Sequence, residues 1–291
     1  MEMHQIRYFL AVCDYRNFTQ AAQSTYVSQP SLTQAIKNLE DELGGELFFR
    51  DRRGCRLTPL GCLVEPRLRH IYQNTLMTKS DAIRFTRLKK TPIRVGIMTT
   101  IGAQRLSPFF ARYQREHPNT ELELIVDTEA TLLKQLHSGF LDLVISAPLK
   151  SPGKSYHSTL LYQERYVVVF NAAHSFAKLN TINLQMIQSE PYLDRLNCEL
   201  RETLKSICNE REINLYATYR SNNEEWILNM VRAGIGVALI PEYTLPCDAE
   251  DVRFHYLEDP EITRQVFAIC SAHMPQQGEV SALVQRLERG I

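Results

Sequence analysis

The sequence predicts an α/β protein in which a small, mainly helical N-terminal part is joined by one long helix to a larger body. Three observations carry this prediction. Apolar residues recur at helical spacing up to Leu43, and a second helical pattern starts at Pro59 and runs to about Leu76, with Ile83 further on. From Ile93 onward, short apolar runs alternate with amphipathic segments. A chain of 291 residues is long enough for two or three domains.

Composition and charge point to a protein whose N-terminal part binds a polyanion. The chain is 44% hydrophobic and 23% charged, as is ordinary for a globular protein. Its net charge of zero hides an asymmetry, because residues 1–90 hold 14 Lys and Arg against 9 Asp and Glu, while the rest hold 19 against 24. A basic head on an acidic body is typical of nucleic-acid binding.

The N-terminal residues do not have the pattern of a secretory signal. Arg7, Asp14 and Arg16 interrupt the apolar residues, and no run approaches the roughly 20 apolar residues that a membrane span needs. Seven cysteines without zinc-finger spacing argue against a disulfide framework and favour a reducing compartment. We therefore expect a cytoplasmic protein that makes no membrane contact.

Two helices and a tight turn are predicted before Ser28. Apolar residues at positions 6, 9, 10 and 13 indicate the first helix. Thr19 is the expected N-cap of a short second helix over residues 20–25, and Tyr26 and Val27 form the turn. In such an arrangement the first two helices support a third helix that projects from the domain.

The third helix has a polar face suited to DNA. Ser28 is a good N-cap and Pro30 falls in the first turn, where its missing N–H costs nothing. The apolar stripe comprises Leu32, Ile36, Leu39 and Leu43, and the opposite face comprises Gln29, Pro30, Ser31, Thr33, Gln34 and Lys37. That face fits a major groove about 12 Å wide, although a polar face alone is also what any surface helix shows.

Two short strands are predicted after the glycine pair at residues 44–45. They cover residues 47–50 and 55–58, and residues 51–54 form a basic turn between them. Phosphate contacts beside the third helix are expected from this wing, through Arg50, Arg52, Arg53 and Arg56. Residues 1–58 are therefore predicted to form a winged helix-turn-helix domain.

The run FTQAAQSTYVSQPSLTQAIKNLEDELGGELFFRDRRGCRLTPLG resembles the DNA-binding domain of LysR-type transcriptional regulators. Departures from the family pattern are small and fall at Asn17, Tyr26 and Thr33. The amide of Gln34 favours adenine at its contact, if it reaches a base. The DNA contacts that the resemblance implies are Ser28, Gln29, Pro30, Ser31, Thr33, Gln34, Lys37, Arg50, Arg52 and Arg53.

A long helix is predicted from Pro59, with Pro66 causing a kink or a missing hydrogen bond. Its apolar stripe needs a partner, either a second subunit or the chain's own body. In the LysR family this helix is the linker that pairs two subunits, so the resemblance implies a dimer, a tetramer and RNA polymerase as a further partner. Residues 89–92 are expected to be a hinge. The apolar stripe comprises Leu60, Leu63, Val64, Leu68, Ile71, Tyr72 and Leu76, with Ile83 further on, and the expected solvated arginines are Arg67, Arg69 and Arg84.

The body is predicted to hold parallel α/β units, with strands at residues 93–98, 121–126, 141–146, 165–170, 215–219, 236–240 and 265–270 and a last helix from Glu279. Residues 138–145 and 231–241 resemble the LysR effector domain, which shares the fold of periplasmic solute-binding proteins. The resemblance implies a linker over 59–90 and an effector domain over 91–291. Its two α/β subdomains would comprise residues 91–161 with 266–291, and residues 162–265.

A ligand cleft is expected beyond the carboxyl ends of the strands, next to helix N-termini. A small-molecule effector is expected there, with a preference for an anion, since hydroxyls and helix ends suit negative charge. The identity of the effector does not follow from the sequence. The candidate effector contacts are Thr99, Thr100, Ile101, Ser146, Ala147, Leu196, Asn197, Cys198, Ser221 and Asn222.

Oxidation of Cys198 and Cys208 is the alternative trigger. Peroxide-sensing members of the family carry two cysteines nine apart at about this place, whereas here the first cysteine is displaced by one residue. Arg195 and Arg201 are the cations that would lower a thiol pKa. The opposite interpretation is that Cys208 is buried beside Leu204 and inert, while Cys198 only lines the cleft.

Other protein classes fit poorly. The sequence has no G-x-S-x-G, P-loop or H-E-x-x-H motif, and its eight histidines lack ligand spacing. We therefore expect no enzyme activity, no cofactor and no metal site. A solute-binding transport protein would need a signal peptide and would lack the DNA-binding head.

Overall fold

The computed structural model describes residues 1–51, 54–245, 250–272 and 278–291, without the side chains of Arg50 and Asp51. The chain forms two compact units, Met1–Lys89 and Lys90–Ile291. Within the described residues, no helix is both long and apolar enough to cross a membrane.

The N-terminal unit begins with three helices, α1 (Met3–Tyr15), α2 (Phe18–Ser24) and α3 (Gln29–Leu43). An antiparallel pair of strands follows, β1 (Phe48–Asp51) and β2 (Gly54–Leu57). The predicted apolar stripe of α3 is confirmed, because Leu32, Ile36 and Leu39 are fully buried in the core of this unit. The tip of the predicted wing, Arg52 and Arg53, lies outside the described residues.

The N-cap predicted at Thr19 was wrong, since Asn17 caps α2. Asn17 Oδ1 accepts hydrogen bonds from the N–H groups of Thr19 (2.8 Å) and Gln20 (3.1 Å), so the helix starts two residues earlier than predicted. The short Asn side chain reaches both otherwise unpaired N–H groups, which is the physical basis of capping. The predicted cap of α3 is confirmed, because Ser28 Oγ accepts from the N–H of Ser31.

The long helix α4 spans Pro59–Ile83 and continues as one π-helical turn over Arg84–Leu88. Thr58 caps it by accepting from the N–H of Gly61 over 3.0 Å. A glycine is needed at position 61 because a Cβ there would lie 2.3 Å from the carbonyl oxygen of Leu47. The close contact fixes the start of α4 against Leu47, which precedes β1, and Leu57, the last residue of β2.

Two expectations about this segment were wrong. Arg69 is not simply solvated, because it forms ion pairs with Asp14 and Glu65, each at 2.7 Å, and thereby ties α4 to α1. Thr91 and Pro92 are not a hinge, because they form the first positions of a strand that pairs in parallel with residues 120–127. Ladder hydrogen bonding therefore begins at residue 91, within the segment that was expected to be a hinge.

The C-terminal unit contains the elements β3 (Thr91–Met98), α5 (Ala103–Glu116), β4 (Thr120–Asp127), α6 (Glu129–His137), β5 (Leu143–Ser146), β6 (Tyr156–Asn171), β7 (Ile182–Asn183), α7 (Leu184–Ile187), β8 (Tyr192–Arg195), α8 (Arg201–Glu210), β9 (Ala217–Ser221), α9 (Glu224–Arg232), β10 (Val237–Pro241), β11 (Val252–Asp259), β12 (Thr263–Ser271) and α10 (Glu279–Gly290). Their strand order is β4-β3-β5-β12-β6-β10-β8-β9, with β11 also beside β6.

Strand β6 belongs to both halves of this sheet. Its first part, Tyr156–Arg165, pairs with β12, and its second part, Tyr166–Asn171, pairs with β10 and β11. The predicted strand at residues 165–170 is only the second part. β8 and β11 were missed, because β8 has only four residues and charged or polar residues interrupt the apolar ones along β11. Such strands lack the apolar run on which the prediction relied.

The C-terminal unit has separate hydrophobic cores in its two halves, and two segments of the chain pass from one core to the other. Tyr162 and Val266 pack with β3 and β5, whereas Tyr166 and Ile262 pack with β8 and α8. β6 and β12 thus cross from one half of the unit to the other at residues 162–166 and 262–266. Polar side chains at this crossing lie between two apolar cores.

Candidate functional site

The polar face of α3 is exposed in the N-terminal unit. Of the residues predicted to contact DNA, Thr33 is half-buried and the others described are exposed, namely Ser28, Gln29, Pro30, Ser31, Gln34 and Lys37. Arg52, Arg53 and the side chain of Arg50 lie outside the described residues. Arg56, on β2, is exposed. The helix therefore presents short polar groups and a cation at the surface, as major-groove contacts require.

Two of these side chains are held by neighbours that the sequence did not identify. Gln29 Oε1 accepts from Thr19 Oγ1 over 3.1 Å, and Gln34 Nε2 donates to Asn38 Oδ1 over 2.8 Å. A bidentate adenine contact uses both the oxygen and the nitrogen of an amide. Because Gln34 Nε2 carries two hydrogens, one can serve Asn38 while the other is offered to a base. The i,i+4 spacing of Gln34 and Asn38 was a usable signal, whereas nothing local indicated Thr19.

In the C-terminal unit the predicted effector contacts follow the carboxyl ends of parallel strands. Those after β3 and β5 are buried or half-buried, whereas Leu196, Asn197 and Asn222 are exposed. The N–H of Leu196 donates to the carbonyl of Ser221 over 2.9 Å, which joins the segments after β8 and β9. Ser146 Oγ contacts Met98 Sδ at 3.5 Å. The remaining contacts of this set are Thr99, Thr100, Ile101, Ala147 and Cys198.

A buried arginine on β12 connects the segment that follows β3 with the segment that follows β8. Arg264 donates from Nε to Glu164 Oε1 over 2.9 Å, from Nη1 to Thr100 Oγ1 over 2.8 Å and from Nη2 to the carbonyl of Thr100 over 2.6 Å. Nη1 also pairs with the carboxylate of Glu199. Glu199 accepts further bonds from Thr100 Oγ1 at 2.9 Å and from the hydroxyl of Tyr166.

A second buried ion pair lies close to the first. Arg195, at the end of β8, pairs with Glu224 at 2.9 Å and donates to Cys198 Sγ over 3.1 Å. We call the whole group the Arg264 cluster: Thr100, Glu164, Tyr166, Arg195, Cys198, Glu199, Glu224 and Arg264. Of these, the sequence identified Thr100, Cys198 and Arg195, the last only as a cation near the cysteine.

The Arg264 cluster holds two arginines and three glutamates, whose charges act on one another. Burial opposes ionisation of Glu199, but Arg264 and Arg195 outweigh it and lower the pKa of its carboxyl. Burial raises the pKa of Glu164 and of Glu224, although the nearby arginines act in the opposite direction. Each arginine nevertheless has a carboxylate partner within the chain, Glu164 and Glu199 for Arg264 and Glu224 for Arg195.

Burial disfavours the thiolate form of both candidate redox cysteines. Burial raises the pKa of Cys198 despite the opposing effect of Arg195, and burial alone raises the pKa of Cys208. Arg201, the other expected cation, pairs instead with Asp194 at 2.9 Å. The position nine residues before Cys208 is occupied by Glu199, which is not oxidisable. Both features weigh against a thiolate sensor.

A winged helix-turn-helix joined to an α/β unit with a buried polar centre defines the class of the protein: a DNA-binding transcriptional regulator with a sensory domain. Residues 3–62 match the family described as bacterial regulatory helix-turn-helix protein, lysR family. Residues 86–290 match the LysR substrate binding domain. The chain belongs to the LysR family of transcriptional regulators.

Curated relatives span nearly the whole chain. OxyR of Escherichia coli, described as a DNA-binding transcriptional dual regulator, is 27% identical over 99% of this chain and 95% of its own length. The uncharacterized regulator YwbI of Bacillus subtilis is 28% identical over 90% of this chain and 87% of its own. These relatives are transcriptional regulators, a class distinct from enzymes.

Solved structures share the fold. CbnR complexed with its target DNA has a TM-score of 0.78 at 19% identity, with 99% of both chains covered. A cysteine mutant of OxyR from Corynebacterium glutamicum has a TM-score of 0.60 at 24% identity, with 99% of this chain and 91% of the other covered. The expected fold class is confirmed, namely α/β with an N-terminal helix-turn-helix and a LysR effector domain. DNA binding and oligomerisation are general in the family.

Proposed function

We propose that this regulator is switched by a small-molecule effector that binds at the Arg264 cluster, where the two halves of the C-terminal unit meet. The observation that carries the proposal is the buried contact between Thr100, which follows β3, and Glu199, which follows β8. A ligand that alters this contact changes the relation between the halves, which is what a switch requires. The DNA contacts act in turn from α3 and the wing.

Unpaired polar atoms support a ligand at this place. Within the described residues, Thr99 Oγ1 and Arg195 Nε are buried without a hydrogen-bond partner. An unsatisfied buried donor costs about 1–3 kcal/mol, so a ligand that supplies the missing acceptor gains affinity. Because chain carboxylates already compensate both arginines, the effector we propose is neutral or cationic at this end.

The proposed oligomer is a dimer through α4, with a tetramer as the higher assembly. Large apolar side chains on this helix are 41–56% exposed, at Leu63, Ile71, Leu76 and Ile83. Exposed apolar side chains of this size are stable when a partner covers them. Two or more heads then bind separate half-sites of one operator. We also propose that the protein is located in the cytoplasm, where it binds DNA. It acts as a regulator and not as an enzyme.

The effector proposal is tested with two variants of the full chain. A screen of neutral, cationic and anionic metabolites by thermal shift first identifies a stabilising ligand. Thr100→Val, and a bulky replacement at the buried Ser146, should abolish the shift and the change in operator footprint while leaving basal operator binding intact. Thr131→Val, on α6, is the matched control. An unchanged response in both site variants would contradict the proposal.

Oxidation of Cys198 and Cys208 is the second candidate trigger. It is favoured by relatives described as hydrogen peroxide-inducible genes activators, one of which, from Pectobacterium carotovorum, is 27% identical over 99% of this chain. Cys208 also lines a cavity of about 240 Å³ beside Arg201 and Lys205. The raised pKa of both thiols argues against this candidate.

A further inference from the structure

Three donors from three elements converge on the carboxylate of Glu199. They are the hydroxyl of Thr100 after β3, the phenol of Tyr166 on β6 and the guanidinium of Arg264 on β12. The side chain of Glu199 is only 4% exposed. A guanidinium joined by two hydroxyl donors is the arrangement that proteins use to bind a free carboxylate.

The donors of Arg264 are fully used by the chain itself. A guanidinium has five N–H groups. Here Nε and one Nη2 hydrogen serve Glu164, the other Nη2 hydrogen serves the carbonyl of Thr100, and Nη1 serves Thr100 Oγ1 and Glu199. An external anion must therefore displace Glu199, which competes at the high effective concentration of a tethered group.

We propose that Glu199 is the specificity-determining residue of this cleft: a tethered carboxylate that occupies the anion position and makes the chain reject small carboxylate ligands. The inference deepens the proposed function and rests on it in taking this cluster as the effector site. The contacts to Glu199 themselves hold whether or not an effector exists.

The sharpest test removes the carboxylate of Glu199 by substitution and supplies a free carboxylate in solution. Glu199→Ala deletes a CH2–COO⁻ fragment, for which acetate is the matching free molecule. Thermal melts of the full chain are compared in sodium acetate and in sodium chloride at equal ionic strength and neutral pH. We expect acetate at about tenfold its Kd to raise the Tm of the variant by about 3 °C, with no such rise in the wild type.

Glu202→Ala is the matched control, since this glutamate is exposed in the first turn of α8, three residues away. Binding of ¹³C-labelled acetate is followed by NMR. It should be saturable for Glu199→Ala and not for the wild type or Glu202→Ala. Equal acetate shifts in the wild type and in both variants would overturn the inference. Saturable acetate binding to the wild type would overturn it as well.

Poor folding of Glu199→Ala does not remove the test. In that case the recovery of operator-binding protein after refolding is measured in acetate and in chloride, with Glu199→Asp as the variant that keeps a carboxylate. Recovery of Glu199→Ala that is severalfold higher in acetate supports the inference, and equal recovery in both salts overturns it. If acetate stabilises Glu199→Ala but no effector acts on the wild type, this inference stands and the proposed function fails. If an effector acts on the wild type but acetate does not stabilise Glu199→Ala, the proposed function stands and this inference fails.

Discussion

Arg195 donates a hydrogen bond to Cys198 Sγ over 3.1 Å, yet the pKa of the thiol is raised because burial of the sulfur outweighs the neighbouring guanidinium. The reactive form of cysteine is the thiolate. We therefore expect slow alkylation of Cys198 and Cys208 by iodoacetamide at neutral pH, at least about tenfold slower than at the exposed Cys62. Mass spectrometry of peptides from the labelled native chain measures the three rates.

The same chemistry predicts that peroxide leaves the operator footprint of the wild type unchanged. Cys198→Ser and Cys208→Ser are the two informative variants, with Cys62→Ser as the control. A peroxide-induced footprint that is present in the wild type and lost in both site variants would instead establish the redox trigger.

The DNA-binding face predicts different effects for Gln34 and Lys37. Gln34→Ala should cost about 1–3 kcal/mol at the preferred operator base and relax the preference there, because a bidentate amide contact is lost. Lys37→Ala should weaken binding to all sequences alike and reduce the salt slope by about 1, because one phosphate contact is lost.

Electrophoretic mobility shifts with operator and mutated operators, at several salt concentrations, separate the two effects. Asn38→Ala is a useful companion, since it frees the Gln34 amide from its 2.8 Å bond. Equal losses on all DNA sequences for Gln34→Ala would contradict a base contact.

The capping arrangement predicts that Asn17, rather than Thr19, stabilises α2. Asn17→Ala removes the acceptor of two helix N–H groups and should cost about 1 kcal/mol of the free energy of unfolding of α2 and its surroundings. Hydrogen exchange of the α2 amides in the full chain measures this change. Thr19→Ala should leave those amides nearly unaffected and act on Gln29 instead, so a larger exchange effect for Thr19→Ala would speak against the cap.

The exposed stripe of α4 predicts a subunit contact. Leu76→Glu should weaken self-association at least about tenfold, because the side chain is 50% exposed in the single chain and would be buried against a partner. Sedimentation velocity measures the change. Lys79→Glu, at an exposed polar position of the same helix, is the control, and identical association of the wild type and both variants would place the contact elsewhere.

The lowered pKa of Glu199 predicts a pH-dependent stability difference. Because the pKa of this carboxyl is lower in the folded chain than its ordinary value, its contribution is complete above the ordinary pKa and is lost as the pH falls through the lower folded value. Glu199→Gln should therefore cost about 3–5 kcal/mol near neutral pH, since it leaves Arg264 short of a partner. The difference from the wild type should shrink in acid.

Thermal melts of the wild type and of Glu199→Gln from neutral pH down to about pH 3.5 measure this difference. Glu202→Gln serves as the exposed control. A wild-type advantage that stays constant over the whole range would show that Glu199 is not ionised in its cluster.

Local patterns in the sequence accounted for the N-terminal unit. The Ser28 cap, the spacing of Leu32, Ile36 and Leu39, and the glycine at the end of α3 are all interactions between near neighbours. The N-cap of α2 was misplaced because Asn17 and Thr19 are both good capping residues, and only backbone geometry distinguishes them. Strands with continuous apolar runs were found, while β8 and β11 were not.

The sequence by itself determined the family, the fold class and the polar face of α3, because these depend on periodicity and on a contiguous motif. Only the tertiary structure decided that Glu199 meets Thr100 and Arg264, which lie 99 and 65 residues away along the chain. A buried charge needs a compensating partner, but sequence patterns report burial and not which strand ends meet. The internal pairing of Arg264 with Glu164 and Glu199 follows from that crossing of strands.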